Sequence, residues 1–193
     1  MDNYCNMIKT KKELNHYIEE DARANHVKMG YSYYIKLLYG NVHACVFRYL
    51  KSLRKYEYYH NKKSKLSIFY RFYNRRLGLK YNIALPINVI GYGIYIPHIE
   101  GGVIVNSKCI GNYFEINSGC VVGKGRTNDE LPILGNNVRM TVGSKIIGKV
   151  VIGDNVIVAP NTVVINDIPD NCFVSGVPAK IIKKDGNKYI SND

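Results

Sequence analysis

The sequence predicts a mainly β protein: a parallel β-helix built from six-residue repeats, preceded by an α-helical cap. Three observations support this fold class. An aliphatic residue returns at every sixth position over a long stretch, a glycine or alanine commonly follows it, and the first 80 residues show helical spacing instead. We expect an α-helical cap domain over residues 1–80, a β-helix domain over 81–171 and a C-terminal tail over 172–193.

The cap begins with a helix start signal. Thr10 and Glu13 have the spacing of a capping box, in which each side chain bonds the other residue's backbone N–H, so a helix is expected from about Lys11. Gly78 is expected to end the last helix. Apolar residues repeat at helical spacing in three further segments, 33–38, 42–53 and 66–73.

The repeat can be counted in steps of six from Ile104. Ten of the eleven positions reached are aliphatic: Ile104, Ile110, Ile116, Val122, Leu134, Met140, Ile146, Ile152, Val158 and Val164. The exception, Asn128, lies in a polar segment typical of a surface loop. Each six-residue piece forms a short strand and a corner, and three pieces close one triangular coil. The aliphatic side chain is expected to point inward and to stack on its equivalents about 4.8 Å away in neighbouring coils.

The repeat slips by two residues between Ile96 and Ile104, and the slip carries His98, the only histidine in the repeat region. An imidazole with a pKa near about 6.5 can accept a proton from an attacking hydroxyl and return it to a leaving group. His98 is therefore a candidate general base, with a solvated loop histidine as the alternative. Glu100 either orients its ring or is a solvated loop acid.

The chain resembles the hexapeptide acyltransferases in three features: the repeat, the slip that bears His98, and the segment SGVPAK at residues 175–180. Within that family it is most similar to the serine O-acetyltransferases and to the O-acetyltransferases of surface-polysaccharide pathways. The resemblance implies a left-handed β-helix, a homotrimer, and acetyl-CoA as acyl donor, bound between adjacent helices without a metal. It also implies that His98 takes the proton from the acceptor hydroxyl.

The same resemblance assigns further site residues. Asp21 matches a cap aspartate that contacts the acceptor, with an exposed helix aspartate as the alternative. The tail lysines either meet the 3′-phosphate of CoA or belong to a solvated basic C terminus. The candidate cofactor residues are Val142, Gly143, Pro160 and Asn161 along the pantetheine groove, and Lys180 and Lys183 in the tail.

Two departures from the family concern the acceptor and the general base. Serine acetyltransferases have an Arg-His pair where Glu130 and Leu131 stand here, and a glutamate repels the serine carboxylate. The family's aspartate that orients the histidine would fall near Asn82 and Ile83, where no carboxylate is present. We therefore predict an O-acetyltransferase acting on a sugar or polysaccharide precursor, with serine O-acetyltransferase of cysteine biosynthesis as the alternative.

The strongly positive charge of the chain is also compatible with a binding protein that has no catalytic activity. With a formal net charge of +12 and a Tyr-, Lys- and Arg-rich stretch at 48–76, the alternative is a basic membrane- or nucleic-acid-binding module. For the enzyme, no nucleic-acid partner is expected, and a peripheral membrane contact of the cap stays open. A γ-class carbonic anhydrase needs three zinc-binding histidines, and the repeat region has one. The N terminus lacks the apolar centre of a signal peptide, so we expect a cytoplasmic location.

Overall fold

The structure is a computed structural model that describes residues 7–127 and 130–188. The helices in this part of the chain are α1 (Lys11–Ala24), α2 (Tyr31–Leu38), α3 (Val42–Asn61) and α4 (Leu66–Tyr81). The strands that follow are β1 (Ile83–Ala84), β2 (Val103–Val105), β3 (Cys109–Ile110), β4 (Glu115–Ile116), β5 (Cys120–Gly123), β6 (Ile133–Leu134), β7 (Arg139–Met140), β8 (Lys145–Ile147), β9 (Val151–Ile152), β10 (Ile157–Val158), β11 (Val163–Val164), β12 (Cys172–Ser175), β13 (Lys180–Lys184) and β14 (Asn187–Lys188). Within these residues no helix is long and apolar enough to cross a membrane.

The first helix begins as the capping box predicts. The Glu13 backbone N–H donates to Thr10 Oγ1 at 3.1 Å, and the Thr10 N–H donates to Glu13 Oε2 at 2.9 Å. The expected end of the last helix at Gly78 is wrong, because α4 continues to Tyr81. Gly78 is buried where the helix crosses the start of the β region, and a Cβ there would lie 2.6 Å from the carbonyl oxygen of Ile83. The glycine thus serves close packing rather than helix termination.

From β2 to β11, successive strands belong in turn to three sheets, which form the faces of a triangular prism. Sheet A has the order β1-β2-β5-β8-β11, sheet B has β3-β6-β9, and sheet C contains β4, β7, β10 and β12, to which β13 and β14 add antiparallel. Arg139 pairs with Ile157, 18 residues later, which is one coil of three six-residue pieces. The predicted six-residue repeat is therefore a parallel β-helix.

The inward residues form three stacks that fill the prism. Their members are at most 5% exposed: Val105, Val122, Ile146 and Val164 from sheet A, Ile90, Ile110, Leu134, Ile152 and Ile168 from sheet B, and Ile96, Ile116, Met140, Val158 and Val174 from sheet C. Tyr49, Leu50, Leu77 and Tyr81 of the cap pack on the first coil and extend the same core. The cap and the β-helix therefore share one apolar interior.

The slip in the repeat is a loop that lengthens the first coil. Ile83 pairs with Val103, 20 residues later, and the loop at 97–102 holds the additional residues. The expectation that Ile104 points inward is wrong, because Val105 occupies that position and Ile104 is 54% exposed. Neighbouring strand residues face opposite sides, so a one-residue change of register reverses their roles. Asn128 lies outside the described residues.

A fully buried arginine joins the cap to the first coil. Arg54 Nε donates to Asp21 Oδ2 at 2.8 Å, and its Nη1 donates to Glu57 Oε2 at 3.1 Å. The guanidinium also donates to the carbonyl oxygens of Ile90 and Gly91 at 3.0 and 2.6 Å. Burial disfavours the charged guanidinium, but the carboxylates of Asp21 and Glu57 outweigh it and raise the pKa of Arg54. The arginine therefore stays charged inside the protein.

The last turn of α1 completes this docking. Asp21 Oδ1 accepts from the backbone N–H groups of Gly93 and Ile94 at 2.8 and 2.9 Å. The Asn25 amide donates to the carbonyl of Ile94 at 2.7 Å and accepts from the N–H of Ile96 at 3.4 Å. Residues 93–96, which lead to His98, are thus fixed to the end of the first helix.

We expect Arg54→Ala to lower the free energy of unfolding by about 3–5 kcal/mol, because it leaves two buried carboxylates without their counter-charge. Urea denaturation followed by circular dichroism measures this loss. The matched control is Arg76→Ala on the exposed face of α4, with an expected change within about 0.5 kcal/mol. Equal effects of the two changes would contradict the structural role of Arg54.

Candidate active site

The corners that follow sheet C in each coil stack into one edge of the prism, called here the site edge. Its corner residues have left-handed backbone angles with φ of 76°, 73°, 72° and 56°: Gly102, Gly119, Gly143 and Asn161. The Gly119 N–H donates to the Gly102 carbonyl at 2.7 Å, and the Asn161 N–H donates to the Val142 carbonyl at 3.0 Å. Residues that are distant in sequence therefore lie in a column along this edge.

The site edge brings together most of the residues predicted from the sequence. His98 is exposed in the loop of the first coil, and Val142 and Gly143 lie at the corner of the third. Pro160 and Asn161 are exposed at the next corner. The side chain of Val142 is 51% exposed, which leaves an apolar surface along this column. The geometry thus provides a continuous surface from the imidazole toward the C-terminal strands.

The two tail lysines lie at different distances from this edge. Lys180 begins β13 opposite Ser175, and the preceding Ala179 N–H donates to the Val163 carbonyl at 2.9 Å. Lys180 therefore continues the column of corners. Lys183 is paired with Phe173 further along sheet C, and both lysine side chains are exposed.

The loop that carries His98 is held by bonds within itself and to the next coil. The Gly101 N–H donates to Ser118 Oγ at 2.6 Å, and the Gly102 N–H donates to the Ile99 carbonyl at 3.0 Å. Glu100 Oε2 accepts from the Ile99 N–H at 3.0 Å. Within residues 7–127 and 130–188, no hydrogen bond joins Glu100 to His98. In the described part of the chain, Glu100 therefore contacts its own loop, and no acid is hydrogen-bonded to the His98 imidazole.

The structure does not support the predicted acceptor contact of Asp21. Its carboxylate is completely buried, and both oxygens are used by Arg54 and by the backbone of Gly93 and Ile94. A group in that position cannot reach a ligand without breaking the docking of the cap. Asn82, at the position of the family's orienting aspartate, has a left-handed backbone (φ 55°) and accepts from Val103 N–H through its carbonyl.

Two histidines of the cap lie close to the loop of His98, although no sequence pattern connects them with it. The rings of His26 and His43 are 6.2 Å apart, and both lie near Tyr95, at 5.8 and 6.3 Å between centroids. Burial lowers the pKa of His43, and the neighbouring His26, His98 and Lys36 lower it further. The two cap histidines come from different helix ends, so only the docking of α1 and α3 on the first coil brings them together.

A cavity of about 1060 Å³ opens on the other side of the same loop. One wall is α4 with Arg71, Phe72, Arg75 and Leu79, and the other is the outer face of sheet A with Ile104 and Val121. Glu100, Gly101 and Gly102 form its rim. Among the described side chains, no group of three or more His, Cys, Asp or Glu residues is placed to hold a metal ion.

The chain is similar to serine acetyltransferases in sequence, although no protein-family model matches it. Serine acetyltransferase of Helicobacter pylori strain J99 is 31% identical over 185 residues, which cover 93% of this chain and 99% of that relative. The enzyme of Synechococcus elongatus is 36% identical over 99 residues, covering 50% of this chain. This chain thus spans nearly all of the first relative, but the match spans 41% of the second.

Solved serine acetyltransferases have the same fold. The Neisseria gonorrhoeae structure superposes with a TM-score of 0.64 and 22% identity, over 90% of this chain and 66% of that one. The Brucella abortus structure, solved in complex with coenzyme A, gives 0.68 and 21%, over 92% and 71%. The predicted fold class, a left-handed parallel β-helix after a helical cap, is confirmed.

The sequence match to the H. pylori enzyme covers 93% of this chain and 99% of that enzyme, and the structural matches include the cap as well as the β-helix. Acetyl-CoA is the donor expected of the hexapeptide acyltransferases, and a solved relative binds coenzyme A. The chain therefore belongs to the serine acetyltransferases, a family of acetyl-CoA-dependent hexapeptide acyltransferases.

Proposed function

We propose that the chain transfers the acetyl group of acetyl-CoA to the side-chain hydroxyl of L-serine. The observation that carries this proposal is the 31% identity to the H. pylori serine acetyltransferase over 99% of that relative's length. A solved neighbour, the N. gonorrhoeae enzyme, was determined in complex with serine. Serine thereby replaces the sugar hydroxyl, which we favoured from the sequence, as the leading acceptor.

In this proposal His98 is the general base. The imidazole accepts the hydroxyl proton while the serine oxygen attacks the thioester carbon, and a tetrahedral intermediate forms. The carbon–sulfur bond then breaks, and the CoA thiolate takes the proton from the imidazolium. The exposed position of His98 at the site edge supports this role, because both substrates can approach it. Glu100 stays a predicted orienting group, and its contact with the Ile99 N–H offers no support for that role.

The donor is proposed to lie along the site edge. Val142, Gly143, Pro160 and Asn161 follow the loop of His98 in the column of corners, so a pantetheine arm laid on them places its thioester at the imidazole. Lys180 continues the column and can meet the 3′-phosphate, because a phosphate binds well to a lysine ammonium. Lys183 lies farther from the site edge than Lys180 does.

We further propose that the protein is a homotrimer. Large apolar side chains are exposed on α4 and on the neighbouring coils: Leu66, Phe69, Phe72, Leu79, Ile104, Val142 and Ile165. Phe72, Leu79 and Ile104 line one cavity, and an exposed apolar patch of this kind marks an interaction site. Ile104 and Val142 also lie next to the site edge. A second copy of the chain packed on these residues would cover the acetyl-CoA bound along the site edge.

A sugar hydroxyl is the second candidate acceptor, and the loop at 124–131 favours it. Glu130 stands where serine acetyltransferases have a carboxylate-binding arginine, and its Oε2 accepts from the Arg126 N–H at 2.8 Å. Its negative charge disfavours the serine carboxylate at that position. Asp21, which is buried, offers no acceptor contact either.

The expected effect of His98→Ala is a loss of at least about 100-fold in the rate of acetyl transfer, because the attacking hydroxyl loses its base. The rate is measured as thiol released from acetyl-CoA in the presence of L-serine. His60→Ala, at the exposed end of α3, is the matched control and keeps the wild-type rate. A wild-type rate in the folded His98 variant would remove this residue from the mechanism.

The acceptor is tested by the same thiol assay with a panel of L-serine, other amino acids, free sugars and nucleotide-sugars. We expect turnover with L-serine and none above background with the sugars. Turnover confined to a nucleotide-sugar would instead establish the second candidate. Detection of O-acetylserine by mass spectrometry separates transfer from hydrolysis of the thioester.

The assembly is tested by light scattering coupled to gel filtration. The wild-type protein is expected to have the mass of three chains. Phe72→Glu places a charge on the exposed apolar surface of α4 and should shift the population toward one chain, whereas Arg76→Glu on the same helix should not. A single-chain mass for the wild-type protein would disprove the trimer.

A further inference from the structure

The docking of α1 delivers His26 to the loop of the candidate base. Asn25 is fully buried and bonds the backbone of Ile94 and Ile96, so the chain that follows it leaves the helix beside this segment. His26 has a left-handed backbone with φ of 55°, and its ring makes an edge contact with Tyr95 at 5.8 Å. The imidazole is exposed and therefore available to a ligand.

His43 lies beside it, in the first turn of α3. Its ring is parallel to that of Tyr95 within 7°, at a centroid distance of 6.3 Å. Its Nδ1 atom is buried and has no hydrogen-bond partner among the described residues. A proton on Nδ1 would be a buried donor without an acceptor, which costs free energy. The favoured form is therefore the neutral imidazole that carries its proton on Nε2 and presents that N–H as a donor.

The titratable side chains that influence the pKa of His43 are all basic. Burial, and then the neighbouring His26, His98 and Lys36, lower the pKa of His43. No carboxylate among the described residues contributes to this shift. The backbone N–H groups of Val42 and His43 have no acceptor in the described part of the chain, and they lie at the positive end of a 20-residue helix. This surface is therefore rich in donors and suited to an anion.

The acceptor proposed above carries such an anion next to its reacting group. In serine the carboxylate and the hydroxyl are separated only by the α- and β-carbons, so the groups that hold them must be neighbours. The loop at Glu130 presents a negative charge instead of a cation, whereas the ring contacts of His26 and His43 with Tyr95 place both imidazoles at the segment that leads to His98. The cap histidines can therefore bind the carboxylate that Glu130 repels.

We propose that His26 and His43 form a carboxylate-binding subsite for the amino-acid acceptor, with the His43 Nε2–H as its central donor. The subsite positions the acceptor hydroxyl at His98 and takes no part in proton transfer. It rests on the proposed transfer to serine, and it assigns carboxylate recognition to the cap of the same chain rather than to the loop at 124–131.

The test compares L-serine with L-serinamide, which has the same hydroxyl and no carboxylate. His43→Ala should raise KM for L-serine about 10- to 100-fold, the range of one hydrogen bond to a charged group, with kcat nearly unchanged. KM for L-serinamide should hardly change. His43→Gln, whose amide can replace the Nε2–H donor, should recover most of the lost affinity, and His60→Ala should behave as wild type. Equal losses with both substrates, or an unchanged KM for L-serine, would overturn the subsite.

Binding without turnover separates this inference from the proposed function. The imidazole signals of His43 in a carbon–proton NMR spectrum, assigned with the His43→Gln variant, should shift on addition of L-serine and not of ethanolamine. Shifted signals without O-acetylserine formation would leave the subsite in place and refute serine as the acetyl acceptor. Turnover of L-serine without shifted signals would refute the subsite and leave the proposed function standing.

Discussion

Strands of two residues make too few hydrogen bonds to persist alone, so each coil of this β-helix depends on the coil beside it. The stack of Ile116, Met140, Val158 and Val174 shows how this dependence is met, since each side chain covers the one before it and all are fully buried. Stacking also fixes the corners relative to one another. The column of left-handed residues at Gly119, Gly143 and Asn161 follows from it, and with this column the surface on which we place the donor.

The cap closes the open end of this stack and shapes the region around the general base. A terminal coil exposes apolar residues, and Tyr49 and Leu77 cover them. Polar contacts then fix the orientation, because Arg54 and Asp21 are buried and satisfied only in one position of the helices. His26 and His43 reach Tyr95 as a result of this fit. Fold stability and the proposed recognition of the acceptor therefore depend on the same interface.

The sequence predicts this architecture well wherever a feature is periodic or local. Six-residue spacing identified the core from Ile110 to Val164, and Thr10 with Glu13 marked the first helix. Features that depend on distant contacts were not accessible. Ile104 faces outward because the inward residue before Ile110 is Val105, five rather than six positions earlier, and Asp21 is buried because Arg54, 33 residues later, lies on a helix packed against it. The proximity of two histidines across separate helices has no sequence signal at all.

The hydrogen bonds that Arg54, Asp21 and Asn25 make to the first coil all go to its main-chain atoms. Arg54 donates to the carbonyls of Ile90 and Gly91. Asp21 accepts from two backbone N–H groups, and Asn25 bonds one carbonyl and one N–H, all between residues 93 and 96. These hydrogen bonds consequently do not depend on which side chains the coil carries at those positions. The surface near His98, and with it the choice of small molecule, can therefore change by substitution while these bonds between the cap and the first coil are retained.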